Sequence, residues 1–267
     1  MKEPSAFFHQ PFPEWQGLVQ AGFTNRGDPN APPAEADPGV PSAYADLNLG
    51  FRCGDDPERV GRNWASVLTA SGLQGKPLVI PRMTHGDAMA DADALPGGES
   101  QPPALLEPEG ADAVCSGSSR FVLAVTMADC LTALVFDPGC GTVAAVHAGW
   151  RGTRARILEK SLRRLAGSGR IRPESALVAL GPCLRAESLE IGPEVAAQLP
   201  GEFLSRIGGR FHFDMPACNR AQALACGIRA EHIRDQGACT LRDPDRYFSY
   251  RRDGPASGRM AAFISLL

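Results

Sequence analysis

The apolar positions of this chain fall into two periods. Val60, Trp64 and Val67 recur at helical spacing. Asp55-Asp56-Pro57 ahead of them supplies an N-cap and a first-turn proline, and Gly72 closes the segment. A second helix is predicted to open at Arg151-Gly152-Thr153, to carry Ile157, Leu158, Leu162 and Leu165, and to end near Gly167. Two more follow: a short one over Pro193–Leu199, and one capped by Asp214 that runs towards Cys226 and Gly227. Strands are expected at Leu78–Arg82, Ala111–Cys115, Gly141–His147 and Ser175–Leu180. Arg120–Thr126 and Leu131–Phe136 are continuous apolar runs of the buried-strand kind, and Asp137-Pro138-Gly139 turns the chain back. The last apolar run, Met260–Leu267, should pack inside. Helices and strands intermix without a βαβ rhythm. The expectation is a single α+β domain over 1–267, with mixed β-sheets layered with helices. Asn25–Ala43, with five prolines, and Asp91–Gly110, rich in Pro, Gly and Glu, read as long exposed loops.

Composition narrows the function. The 267 residues are 43% hydrophobic and 21% charged, which is ordinary for a globular chain. A net charge of −3 leaves no electrostatic footprint for a nucleic-acid backbone or an anionic membrane. The most apolar stretch, Phe121–Phe136, is interrupted by Asp129 and is too short to span a bilayer. The first twenty residues lack a basic segment followed by an apolar one, so a soluble cytoplasmic protein is expected. Neither a Gly-rich dinucleotide fingerprint nor a Walker motif occurs.

Eight cysteines, at 53, 115, 130, 140, 183, 218, 226 and 239, form no CxxC pair, and reduced thiols are the default reading. Of five histidines, His85 (MTHGD) and His147 (VAAVHAGWRGT) stand at strand ends in Gly-rich contexts. Cys130 stands where two apolar runs meet. Two imidazoles and a thiolate match the donors of zinc or copper, and three protein ligands leave a fourth position open. The same residues also allow Cys130 as a nucleophile with His147 as its base, or a buried cysteine with two locally satisfied histidines. Asp129, adjacent to Cys130, should point away from it and bind a backbone N–H, an Arg or a His.

At these residues the chain resembles a known family. TMADCLTALVFDPGCGTVAAVHAGWRGT, GPCLRAESLEIGPEV, Cys239-Thr240 and YFSYRRDGPASGRMAAFI are similar to the YfiH or laccase-domain proteins. GFTNRGD and NLGFRCGDDPERVGRNW resemble that family's N-terminal pattern. The resemblance implies a sandwich fold related to certain cysteine hydrolases and a bacterial toxin deamidase domain. It implies metal ligands at His85, Cys130 and His147, with zinc expected and copper as the other metal. The older label of the family is copper-dependent polyphenol oxidase. The later description is purine nucleoside phosphorylase, acting on adenosine, inosine and methylthioadenosine with inorganic phosphate, with metal-assisted adenosine deaminase activity.

A multicopper oxidase needs more histidines than the five present. Phosphate requires guanidinium or backbone N–H donors. Arg151 and Arg259 are the leading candidates, with Arg251 and Arg252 beside them. Asn48 in LNLG is a candidate for ribose or base, or else a turn cap. GPCLRAESLEI departs from the family's GPCIGPCCYEV, so Cys183 reads as core. Met83-Thr84 stands where the family carries Gln-Val, and the Arg26 region lacks its GGVS. The other readings are a Cys130–His147 hydrolase and a non-catalytic binding protein. The expected partners are small purine nucleosides, with no nucleic acid and no membrane, and the chain is expected as a monomer or small homo-oligomer.

Overall fold

The computed structural model describes residues 7–27, 46–95 and 105–267. Residues 28–43 of the first expected loop and 96–104 of the second lie outside the described residues. The described flanks of the second are structured rather than looped: Ala92–Ala94 is a 3-10 turn, and Leu105–Leu106 pairs in a sheet.

In chain order the strands are β1 (Phe8–His9), β2 (Val19–Thr24), β3 (Leu78–Val79), β4 (Met89–Asp91), β5 (Leu105–Leu106), β6 (Ala113–Ser116), β7 (Val122–Met127) and β8 (Leu131–Asp137). They continue as β9 (Thr142–Ala148), β10 (Leu177–Leu180), β11 (Glu190–Ile191), β12 (Leu204–Ile207), β13 (Arg210–Phe213), β14 (Ile233–Asp235) and β15 (Met260–Leu266). The α-helices are α1 (Pro57–Ser71), α2 (Trp150–Arg154), α3 (Ile157–Gly167), α4 (Pro193–Ala196), α5 (Met215–Ala225) and α6 (Tyr250–Asp253). One sheet runs β1-β2-β15-β7-β3-β5, a second β14-β10-β8-β9-β6-β4, and a small third β11-β13-β12. Both large sheets mix parallel and antiparallel neighbours, so the class is α+β.

Period-two alternation builds the layers. Leu123, Val125 and Met127 of β7, and Ala262 and Ile264 of β15, meet Leu134, Phe136, Val143 and Ala145 of the second sheet in one buried cluster. Their neighbours Val122, Ala124, Ala261 and Phe263 face the other way, onto Val60, Trp64, Val67 and Leu68 of α1. On the far side of the second sheet, Leu131, Ala133, Val135, Ala144 and Val146 pack on α3 and α5. The order is helix, sheet, sheet, helix. The central runs are continuously apolar because both faces of both sheets are covered.

α1 matches its sequence signals. Asp56 accepts from Glu58 N–H, Pro57 stands in the first turn, and Gly72 closes the helix at φ 73°. The helix expected from Arg151 to Gly167 is instead two, because Arg156 takes a left-handed conformation (φ 63°) between α2 and α3. The strand expected over Leu78–Arg82 pairs only at Leu78–Val79, with one isolated bridge from Arg82 to Glu109. No helix among the described residues is long and apolar enough to cross a membrane.

Candidate functional site

Three loops converge at one end of the second sheet. The β7–β8 turn carries Cys130, the end of β9 carries His147, and the segment after β3 carries His85. Among the described residues they form one group of three, each offering a donor atom within 4.8 Å of the others. The two imidazole rings stand edge to face at 5.1 Å.

The turn that presents Cys130 is fixed by Asp129, which takes φ 84°. Its carboxylate accepts from the Thr240 hydroxyl (2.7 Å) and Arg251 N–H (2.6 Å), and its carbonyl accepts from Leu184 N–H (2.9 Å). Asp129 thus binds a backbone N–H, as one of the sequence expectations had it. Gly149 leaves room for the sulfur, since a Cβ there would lie 2.8 Å from Cys130 Sγ and 3.6 Å from the His85 ring.

Asp112, fully buried, ties the histidines together. One oxygen accepts from His147 Nδ1 (2.9 Å) and from the His85 backbone N–H (2.9 Å). The other accepts from the N–H groups of Thr84 (2.9 Å) and Gly86 (2.8 Å). A carboxylate only accepts, so the His147 proton sits on Nδ1 and Nε2 faces the other two donors. Burial opposes the charge on Asp112. The hydrogen bonds from His147, Gly86 and Thr84 outweigh it and hold the carboxyl well below the usual range. Burial likewise disfavours a charged Cys130 or His147. Each overrides it for the other, with His85 aiding the sulfur and Asp112 the imidazole, so the thiol is pulled down and the imidazole up.

Sequence reasoning missed Asp112, which stands immediately before β6 with no periodic signature. The usable signal is indirect: a histidine ligand needs a partner for its second nitrogen, and GADAVC carries an aspartate at a strand start. Two imidazoles and a thiolate, one imidazole oriented by a carboxylate, make a donor set that fits zinc or copper.

A cavity of about 560 Å³ opens over the trio. Arg151, Arg251 and Arg259 line it, and none of their guanidinium groups has a carboxylate partner among the described residues. Arg151 stacks on Trp150 at 4.3 Å. Arg259 is held through the carbonyls of Ser257 and Gly258, and its backbone N–H donates to Asn48 Oδ1 (2.8 Å). Arg252 turns away to Asp253 and the Tyr247 carbonyl. Asn48 is fully buried beneath the wall, bonded to Asp55 (2.7 Å), Gly50 N–H (3.0 Å) and Arg259 N–H. It positions Arg259 rather than facing the cavity. Phe51, Met83 and Tyr250 form an apolar part of the lining.

A family model described as multi-copper polyphenol oxidoreductase laccase matches residues 36–267. A purine nucleoside phosphorylase of Bacteroides thetaiotaomicron is 33% identical over 238 residues, covering 84% of this chain and 86% of that protein. Purine nucleoside phosphorylase YfiH of Escherichia coli K12 is 31% identical over 265 residues, covering 96% and 98%. The crystal structure of YlmD from Geobacillus stearothermophilus superposes with a TM-score of 0.81 at 26% identity, covering 98% of this chain and 99% of that one.

Proposed function

The chain belongs to the multi-copper polyphenol oxidoreductase laccase family, and we propose that it acts as a purine nucleoside phosphorylase. The observation that carries the reading is the cavity. It joins a three-donor floor to a wall of guanidinium groups without carboxylate partners, at a size that suits a nucleoside. The phosphorylase names of the relatives support it. The older oxidase label is not supported, because the described residues include one group of three donors rather than several.

In this reading Arg151, Arg251 and Arg259 hold inorganic phosphate by charge-assisted hydrogen bonds. A phosphate oxygen bonds to the anomeric carbon as the bond to the purine nitrogen breaks, and the electron pair leaves with the base. Phe51, Met83 and Tyr250 offer the purine an apolar surface. His85, Cys130 and His147 hold the metal, with zinc proposed ahead of copper, and Asp112 fixes the orientation of His147. The metal, when bound, supplies Lewis acidity. Removal of the adenosine amino group as ammonia, water adding at the same carbon, is proposed at this floor. A cytoplasmic setting, where thiols stay reduced, is proposed with it.

Adenosine, inosine and methylthioadenosine, each given with phosphate, should release free base and the sugar 1-phosphate, measured by chromatography. Release that does not depend on phosphate, or no release from metal-loaded protein, contradicts the reading. One observation favours a second reading. The Asp112–His147 bond completes a Cys130–His147–Asp112 series of nucleophile, base and orienting group. Hydrolysis that survives chelation and stops on thiol alkylation would select it.

A further inference from the structure

Two sulfurs outside the trio are paired by the fold. Cys183 and Cys239 stand opposite each other in a parallel bridge. Cys183 N–H donates to the Ala238 carbonyl (3.4 Å) and Thr240 N–H to the Cys183 carbonyl (3.1 Å). Bridged strands run about 4.8 Å apart, inside the Cα separation of roughly 4.4–6.8 Å that a disulfide spans.

Their surroundings differ. Cys183 is fully buried in the core beneath the second sheet, and burial pushes its thiol far up despite the Arg185 guanidinium nearby. Cys239 is half-buried, and its Sγ donates to Ser188 Oγ (3.3 Å). Burial would raise its thiol too. The Ser188 hydroxyl and the backbone N–H groups of Arg185, Arg242 and Leu241 outweigh that and pull it down. A hydroxyl that can reverse its bond, together with backbone N–H donors, stabilises a thiolate there.

We propose that Cys239 and Cys183 form a dithiol that hydroperoxides oxidise, with Cys239 attacking and Cys183 resolving. The Cys239 thiolate displaces alkoxide or hydroxide from the peroxide oxygen and becomes a sulfenic acid; the leaving oxygen takes a proton from water. The Cys183 sulfur then attacks the sulfenic sulfur and gives up its proton, a disulfide forms, and one water leaves. Two sulfurs are oxidised by one electron each, and one peroxide bond is reduced. The pair lies behind the wall of the candidate site, whose lining includes Leu184 and Asp129. Leu184, next to Cys183, and Thr240, next to Cys239, both bond Asp129, the residue before Cys130. The proposal does not depend on the phosphorylase reading.

The test is peptide mapping of the reduced full-length protein after brief treatment with tert-butyl hydroperoxide, without reductant. The expected product joins the Cys183 and Cys239 peptides, lighter by two hydrogens. In Cys183→Ser, Cys239 should instead carry a dimedone adduct. Before oxidant, near neutral pH, iodoacetamide should label Cys239 at least ~10-fold faster than Cys183. A map in which Cys239 remains a free thiol, or pairs elsewhere, overturns the proposal. The wild-type map decides this even if the variant does not fold.

Discussion

Asp112 governs the geometry of the trio, because one carboxylate fixes the His147 ring and the backbone around His85. Asp112→Asn keeps the shape but puts an amide N–H against groups that need an acceptor. Zinc affinity measured by chelator competition should fall about 10–100-fold, and unchanged affinity would remove Asp112 from this role. Cys130 gives a pH test. Its neighbours pull the thiol down, so in metal-free protein alkylation followed at Cys130 should already be near its plateau at neutral pH. An ordinary thiol, with a pKa of about 8.5, would still gain nearly tenfold per pH unit there, and such a rise at Cys130 contradicts the assignment. The three donors were legible as candidates because His85 and His147 stand at strand ends in Gly-rich contexts and Cys130 where two apolar runs meet. The residues alone left a Cys–His nucleophile open, and the family resemblance is what implied a ligand set. Asn48 was legible only as a turn residue or a ligand contact, and the buried bonds that commit it to Arg259 join residues far apart in the chain.

Among the elements, α1 could be read in full. Its cap, proline, period and terminal glycine are all local signals, and the structure uses each of them. The break between α2 and α3 could not, since Arg156 adopts a conformation that its residue type does not advertise. Leu78–Arg82 carries strand-like residues, yet how far a strand pairs depends on neighbours distant in sequence. Trp64 shows how far α1 is bound to the first sheet. It is buried among Val67, Leu68 and Phe263 and donates to the Leu49 carbonyl (3.0 Å). Trp64→Ala should lower unfolding stability by about 3–5 kcal/mol in denaturant titration, with zinc stoichiometry unchanged because α1 lies outside the second sheet's loops. A loss below 1 kcal/mol, well under that core range, would mean that the α1 layer is not packed as described.

Across the whole molecule, the doubly covered sheets explain why so many strands read as unbroken apolar runs, and why the α+β class followed from the pattern while the strand order did not. β15 comes last in the chain yet lies between β2 and β7, a placement that no local period encodes. This arrangement leaves the loops at one end of the second sheet free to bring His85, Cys130 and His147 under a cavity walled by arginines. The most direct test of that account is an anomalous-scattering map at the zinc edge, from crystals soaked with inosine and phosphate. The account predicts one peak among His85, Cys130 and His147, with purine and phosphate density in the cavity above it. A peak elsewhere, or a filled metal site with both ligands outside the cavity, would contradict it.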